Sequence, residues 1–216
     1  LVTTCQKLVQ QYRSESVYCF HHPRIGIRLG ASPERLLNAN ADSFETMALA
    51  GTQKDAGEET VIWQQKEKEE QQFVTDYIVS KLKSVSTEIQ VSEAYSVKAG
   101  TLWHIKTDIS VVFGQELDLK KAIQLLHPTP AVCGVPKAIS KAFIVANENY
   151  NRSFYTGYLG ELNRNFASDL FVNLRCMQIE NKQAHLYMGC GITKDSDPEK
   201  EWRESVNKSM TMKRIL

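Results

Sequence analysis

EIQVSEAYSVKAGTLWHIKTDISVVF, residues 88–113, decides the fold class. Valine, isoleucine, tyrosine and tryptophan recur through it, the residue types that fit a pleated, half-buried surface. Gly100 is placed to turn the chain, so 88–99 and 101–113 read as two long strands. Strands joined by so short a turn must run antiparallel, because a parallel pair needs a crossover of about a dozen residues.

Working outward, the same signals recur. Residues 17–21 and 25–29 alternate as strands broken by Pro23, and short strands follow around Leu36–Leu37 and 44–49, with a polar turn over 38–43. Strands are also expected over 154–162, 169–180 and 184–192, with Asn181-Lys182 at the last hairpin. Helical periodicity marks 2–14, through Val2, Cys5, Leu8, Val9 and Tyr12. It also marks 58–84, where Phe73, Val74, Tyr77, Ile78 and Leu82 form the apolar part. Further helices run from Asp118 to Leu126, after Pro136, and from Pro198 onward. Many antiparallel strands with helices between them define an α+β domain, not a parallel doubly wound sheet.

Composition bounds the function. The 216 residues are 42% hydrophobic and 24% charged, with a formal net charge of +1. That is ordinary globular usage, and it gives no electrostatic case for nucleic acid or a membrane surface. No apolar run approaches the roughly 20 residues that span a bilayer. Neither a GxGxxG nor a GxxxxGK[ST] phosphate cradle occurs. The five cysteines are odd in number and form no C-x-x-C pair, which argues against a disulfide framework or structural zinc and favours a reducing cytosol.

Several segments carry candidate chemistry. Glu201, Glu204 and Lys208 fall on one face of the last helix, and Glu70 stands far upstream. Such a face is either a solvated charge pattern or a set of oxygen donors for a hard cation beside an anionic ligand. Glu34 is either a solvated turn residue or a carboxyl held at a strand end as a general acid, a role that needs burial or a neighbouring negative charge. Gly51 either turns the chain or lets a ligand approach the backbone. His104 lies inside a strand, where a histidine is usually structural. The prolines of 127–134 make a stiff connection that is architectural or shapes a pocket wall. Arg175, among apolar neighbours, needs a partner if buried, and its guanidinium suits a carboxylate. Gly189 and Gly191 offer backbone N–H groups to an anion. Together these pieces outline a pocket for a small, multiply anionic molecule with a divalent cation.

In order along the chain stand SPERL at 32–36, LAGT at 49–52, KEKEEQQFV at 66–74, TLWH at 101–104 and HPTPAVCGVPK at 127–137. YTGYLGELN at 155–163, LRC at 174–176, GCGI at 189–192 and EWRE with Lys208 at 201–208 complete the series. The sequence resembles the chorismate-utilising enzymes, and within them is most similar to the isochorismate synthases. HPTPAVCG is typical of that branch, and Ala50 stands where aminodeoxychorismate synthases carry a nucleophilic lysine. Salicylate synthases share much of the HPTP motif and are the nearest competitor, ahead of anthranilate synthases.

The resemblance implies an anthranilate synthase component I-like fold, with residues 1–216 as the C-terminal part of one catalytic domain, truncated at its N-terminus. It implies a cytoplasmic, monomeric isomerase of the hydroxymutase type that acts in menaquinone or siderophore biosynthesis. Water attacks C2 of chorismate, the C4 hydroxyl leaves, and isochorismate forms. Glu34 would protonate the leaving hydroxyl, and Glu70, Glu201 and Glu204 would bind Mg²⁺. Arg175 and Tyr155 would grip the enolpyruvyl carboxylate, and Lys208 and the Gly189 backbone would contact substrate carboxylates. His104 would lie near the ring carboxylate, with Gly51, Ala131 and Leu174 lining the pocket. One departure bears on activity. The family's water-activating lysine sits in a lysine-valine-valine-like motif upstream of SPERL, and this chain, which opens at Leu1, does not contain it. The fragment alone is therefore expected to be inactive or severely impaired, a binding module for chorismate and Mg²⁺.

Overall fold

The computed structural model describes residues 1–40, 43–113, 118–164 and 167–216. Helix α1 (Val2–Gln11) is followed by strands β1 (Ser16–His22), β2 (Gly26–Ser32), β3 (Arg35–Ala39) and β4 (Ser43–Lys54). Then come α2 (Gln65–Leu82), β5 (Glu88–Val91), β6 (Tyr95–Ala99), β7 (Leu102–Val112), and the short helices α3 (Leu119–Leu126), α4 (Pro130–Cys133) and α5 (Lys137–Asn147). Strands β8 (Tyr158–Arg164), β9 (Ala167–Val172), β10 (Cys176–Glu180) and β11 (Gln183–Tyr187) lead to the last helix, α6 (Pro198–Lys213).

The strands form two sheets, one ordered β1-β2-β10-β11 and one ordered β5-β7-β4-β3-β9-β8 with β6 also on β7. Every pairing among the described residues is antiparallel, as an α+β domain requires. Helices cover both sheets from outside. Val74, Ile78 and Leu82 of α2 and Leu126 of α3 meet Leu37, Phe44, Ile109 and Leu170 of the larger sheet. Leu8 and Tyr12, with Met212 and Ile215 at the chain end, close over Leu29 and Met177 of the smaller sheet. Burying one such side chain is worth about 2 kcal/mol, so these two clusters fix the layers.

Two chain segments belong to both sheets. β2 leaves the smaller sheet at Ser32 and re-enters the larger one as β3, with Pro33 and Glu34 between. β9 and β10 make the same crossing in reverse through Asn173, Leu174 and Arg175. The two crossings run side by side: Ala31 N–H donates to the Arg175 carbonyl at 3.2 Å and Val172 N–H to the Glu34 carbonyl at 2.9 Å. The Ser32 hydroxyl adds a short bond to the Val172 carbonyl.

This arrangement corrects the expected strand over 169–180. It is two strands, and Arg175 sits not mid-strand but in the break, at φ +46°. Across the break the buried apolar set slips by one position, from Leu170 and Val172 in the larger core to Met177 and Ile179 in the smaller, a shift too slight to mark a strand end in the sequence. The expected strand over 88–99 is likewise two, because Ser92 turns aside to pair with Asp108 through backbone and hydroxyl. Helix α2 begins at Gln65 rather than near 58; the preceding segment is held extended by Gln53 bonding the Ile62 carbonyl and Trp63 bonding Ser96. Residues 154–157 form a turn before β8, and 188–192 are irregular after β11. In the expected turn over 38–43, Ala41 and Asp42 lie outside the described residues. Cys5 and Cys19 are paired as a disulfide between α1 and β1, with Cα atoms 6.3 Å apart, a single link where the cysteine count and spacing argued against a disulfide framework. Their 14-residue spacing carries no motif, and only the folded contact of helix on strand brings them together.

Candidate active site

The paired crossings floor a cleft that is partly open to solvent. Glu34, Gly51, Glu70, His104, Ala131, Tyr155, Leu174, Arg175, Gly189 and Lys208 all line it. Glu201 and Glu204, on α6, are not among its lining residues.

Glu34 is 4% exposed. Burial pushes its carboxyl up to about 7, against the opposing pull of a Thr129 hydrogen bond and the Lys208 charge. The Thr129 hydroxyl donates to Oε1 at 3.1 Å. Thr129 is itself buried at the N-terminus of α4, inside the HPTP stretch, which explains the stiff double-proline connection: it delivers a hydroxyl to the acid. A carboxyl poised near neutrality can give up a proton to a leaving group and regain it.

Arg175 is 5% exposed and forms no direct ion pair among the described residues, although the Glu15 and Glu204 charges act on it from farther off. Burial brings its guanidinium down to about 10, which leaves it cationic at neutral pH. Its Nη2 donates to His104 Nε2 at 2.6 Å. The other imidazole nitrogen, Nδ1, lies 2.9 Å from the Gly51 carbonyl. A carbonyl only accepts, so Nδ1 carries the proton and Nε2 offers the lone pair. Burial and the Arg175 charge hold His104 well below its usual range, so it is neutral. The result is a buried cation fixed in place by a neutral ring with no anion in direct contact among the described residues, an arrangement suited to a carboxylate.

Gly51 serves this relay by its backbone. It has φ +70°, and a Cβ there would lie 3.0 Å from Glu67 Cβ on α2. The glycine is thus required for the bulge in β4 and for close packing of α2, rather than for ligand approach alone. Gly189 gives a similar clearance to the Tyr155 hydroxyl, 2.9 Å from where its Cβ would stand.

The acidic residues gather at the cleft's other end. Glu70 comes from α2; Glu201, Glu204 and Lys208 come from α6, which starts at Pro198 under an Asp197 cap. Burial raises the Glu70 carboxyl, and Lys208 opposes this. Lys208 pairs with Glu204 at 2.7 Å and also donates to the Gly189 carbonyl at 3.1 Å. Lys66, which the sequence reading did not single out, forms a close ion pair with Glu201. Among the described residues no three ligating side chains converge to metal-binding distance. Three carboxylates are a fitting oxygen donor set for a hard cation. Two of them are here engaged by lysine ammonium groups instead.

Sequence reasoning also missed one wall of the cleft, built from Glu148, Tyr150, Arg152 and Thr156. Arg152 pairs closely with Glu148, donates to the Val132 carbonyl at 3.1 Å and lies over the Tyr155 ring. The four-residue spacing of opposite charges in 148–152 was the available signal.

A buried acid, a buried guanidinium with no anion in direct contact among the described residues and an acidic corner in one cleft define an enzyme-like site for a small anionic molecule. Comparison with known proteins narrows this. The family model described as chorismate binding enzyme matches residues 1–216, and the chain belongs to that family. It is 30% identical over 210 residues to the isochorismate synthase EntC of Escherichia coli K12, covering 92% of this chain and 54% of that protein. The solved structure of MenF, the menaquinone-specific isochorismate synthase from Escherichia coli, superposes with a TM-score of 0.84 at 27% identity, covering 98% of this chain and 52% of that one. Anthranilate synthase component I from Streptococcus pneumoniae superposes at 0.82 with 23% identity, covering 97% and 48%, which shows the shared fold. The chain spans about half the length of the curated relatives it matches. Among the described residues no helix is long and apolar enough to cross a membrane.

Proposed function

We propose that this chain carries the chorismate site of an isochorismate synthase that exchanges the C4 hydroxyl of chorismate for a hydroxyl at C2, in the cytoplasm and as a monomer. The observation that carries the reading is Glu34: a buried carboxyl near neutrality, hydrogen-bonded on one oxygen by Thr129, in the cleft that also holds Arg175. Glu34 protonates the departing hydroxyl through the oxygen Thr129 leaves free. Arg175, oriented by neutral His104, binds a substrate carboxylate with Tyr155 beside it. Lys208, which reaches the Gly189 carbonyl, and the Gly189 N–H would receive a second carboxylate.

Mg²⁺ belongs to this reading. Glu70, Glu201 and Glu204 would hold it, and when bound it offsets the charge of a ring carboxylate. The water-activating lysine motif of the family does not occur in these 216 residues. That favours, for the chain by itself, binding of chorismate with slow or no turnover.

Incubation with chorismate and Mg²⁺, with and without ammonia, followed by product identification, tests the assignment. Isochorismate is the expected product of the activity in a chain that includes the lysine motif. Anthranilate formed only with ammonia, or salicylate as the first product, would sink it. For the 216-residue chain, calorimetry should detect chorismate binding, and rapid isochorismate formation would overturn the slow-turnover reading.

A further inference from the structure

We infer that Lys66 is a resident counter-ion of the acidic corner, bound to Glu201 in the metal-free protein and displaced from it when a divalent cation enters. The inference rests on the metal role proposed for Glu70, Glu201 and Glu204.

Lys66 lies in the first turn of α2, where the positive end of the helix dipole disfavours a cation by about 0.3–1 kcal/mol. A specific partner offsets that placement. Glu201, on a different helix and 135 residues away, points its carboxylate at the ammonium from a site only 4% exposed. A carboxylate so buried needs a positive neighbour, and leaving it alone would be strongly destabilising.

The two lysines of the corner differ in how they are held. Lys208 has two partners, Glu204 on its own helix and the Gly189 carbonyl, and stays tied to the cleft wall. For the Lys66 side chain the sole hydrogen bond among the described residues is to Glu201. Its side chain is 26% exposed, so the ammonium can swing into water on its flexible stem without unfolding anything. Among the described residues the three carboxylates do not converge to metal-binding distance, and Lys66 lies on one of them. An ammonium and a divalent cation held on the same Glu201 carboxylate repel each other at close range, so the two compete for it. By linkage, removing the ammonium strengthens binding of the metal.

The test compares the wild-type chain with Lys66→Met, measuring Mg²⁺ binding by calorimetry and counting bound Mn²⁺ by electron paramagnetic resonance. Thermal melts in chelator and in Mg²⁺ accompany both. Lys66→Met should bind the divalent cation roughly tenfold tighter. It should melt lower than wild type in chelator, and gain more in Tm on adding Mg²⁺. Equal or weaker affinity in the variant overturns the exchange. Cation binding by wild type without a gain in the variant sinks the exchange alone, whereas no binding by either chain sinks the metal role as well. If Lys66→Met does not fold in chelator, Lys66→Gln, which keeps a donor to Glu201 without the charge, carries the same comparison.

Discussion

His104 presents a lone pair, not a proton, to Arg175: the guanidinium donates to Nε2 at 2.6 Å while Nδ1–H is spent on the Gly51 carbonyl. The histidine therefore positions the cation that would bind substrate. Nitrogen-15 NMR of the ring should show a neutral, Nδ1-protonated imidazole that does not titrate near the ordinary value of about 6.5. Because burial and Arg175 hold the folded-state value below the unfolded one, the histidine's contribution to stability is present above about pH 6.5 and is lost as pH falls. His104→Gln should remove that acid sensitivity from urea melts.

Glu34 has the opposite sign. Its folded-state value, about 7, lies above the unfolded 4.5, so the stability it contributes is full below 4.5 and lost as pH rises through 7. The difference amounts to roughly 3 kcal/mol, on the scale of 1.36 kcal/mol per unit. Between pH 5 and pH 8 wild type should lose urea stability relative to Glu34→Gln, in which that alkaline loss is abolished. In an active chain the same substitution should cut turnover by about a hundredfold or more while chorismate still binds. Unchanged turnover would exclude Glu34 as the acid.

Thr129→Val deletes the donor to Glu34 Oε1, a bond to a charged group worth about 2 kcal/mol. Since that bond pulls the carboxyl value down, the variant's Glu34 should titrate higher, and Thr129→Ser should restore it. Carbon-13 NMR of labelled glutamate side chains reads the shift directly.

Gly51→Ala places a Cβ at φ +70° and 3.0 Å from Glu67 Cβ. Strain and crowding should destabilise the chain by about 2 kcal/mol, seen as a lower urea midpoint. The relay through His104 should loosen with it, because the Gly51 carbonyl anchors the ring.

Much of the site was legible in the sequence, since catalytic-type residues fell in short ordered motifs whose side chains do meet in one cleft. Glu34, His104, Tyr155, Arg175 and Lys208 are examples. What was not legible depends on contacts between distant segments. Arg175 looked like a mid-strand residue because the change of sheet shows only as a one-position slip between Val172 and Met177. Lys66 looked like one charge among many in KEKEE, and only the approach of α6 marks it out. The Glu148–Arg152 wall lay in a polar loop, and the Cys5–Cys19 pair needed α1 laid on β1. Of the fold, the antiparallel α+β class followed from residues 88–113 and the hairpins. Its division into two sheets did not, because pairing partners such as β3 and β9 are more than 100 residues apart.

The twin crossings have a consequence for how such a cleft can diversify. The separation of Glu34 from Arg175 is written in peptide hydrogen bonds between neighbouring backbones, not in side-chain packing. Residues of the surrounding wall can change the admitted nucleophile or the shape of the ligand while the span from proton donor to carboxylate anchor stays constant. The main chain acts as a ruler, and the walls are free to vary against it.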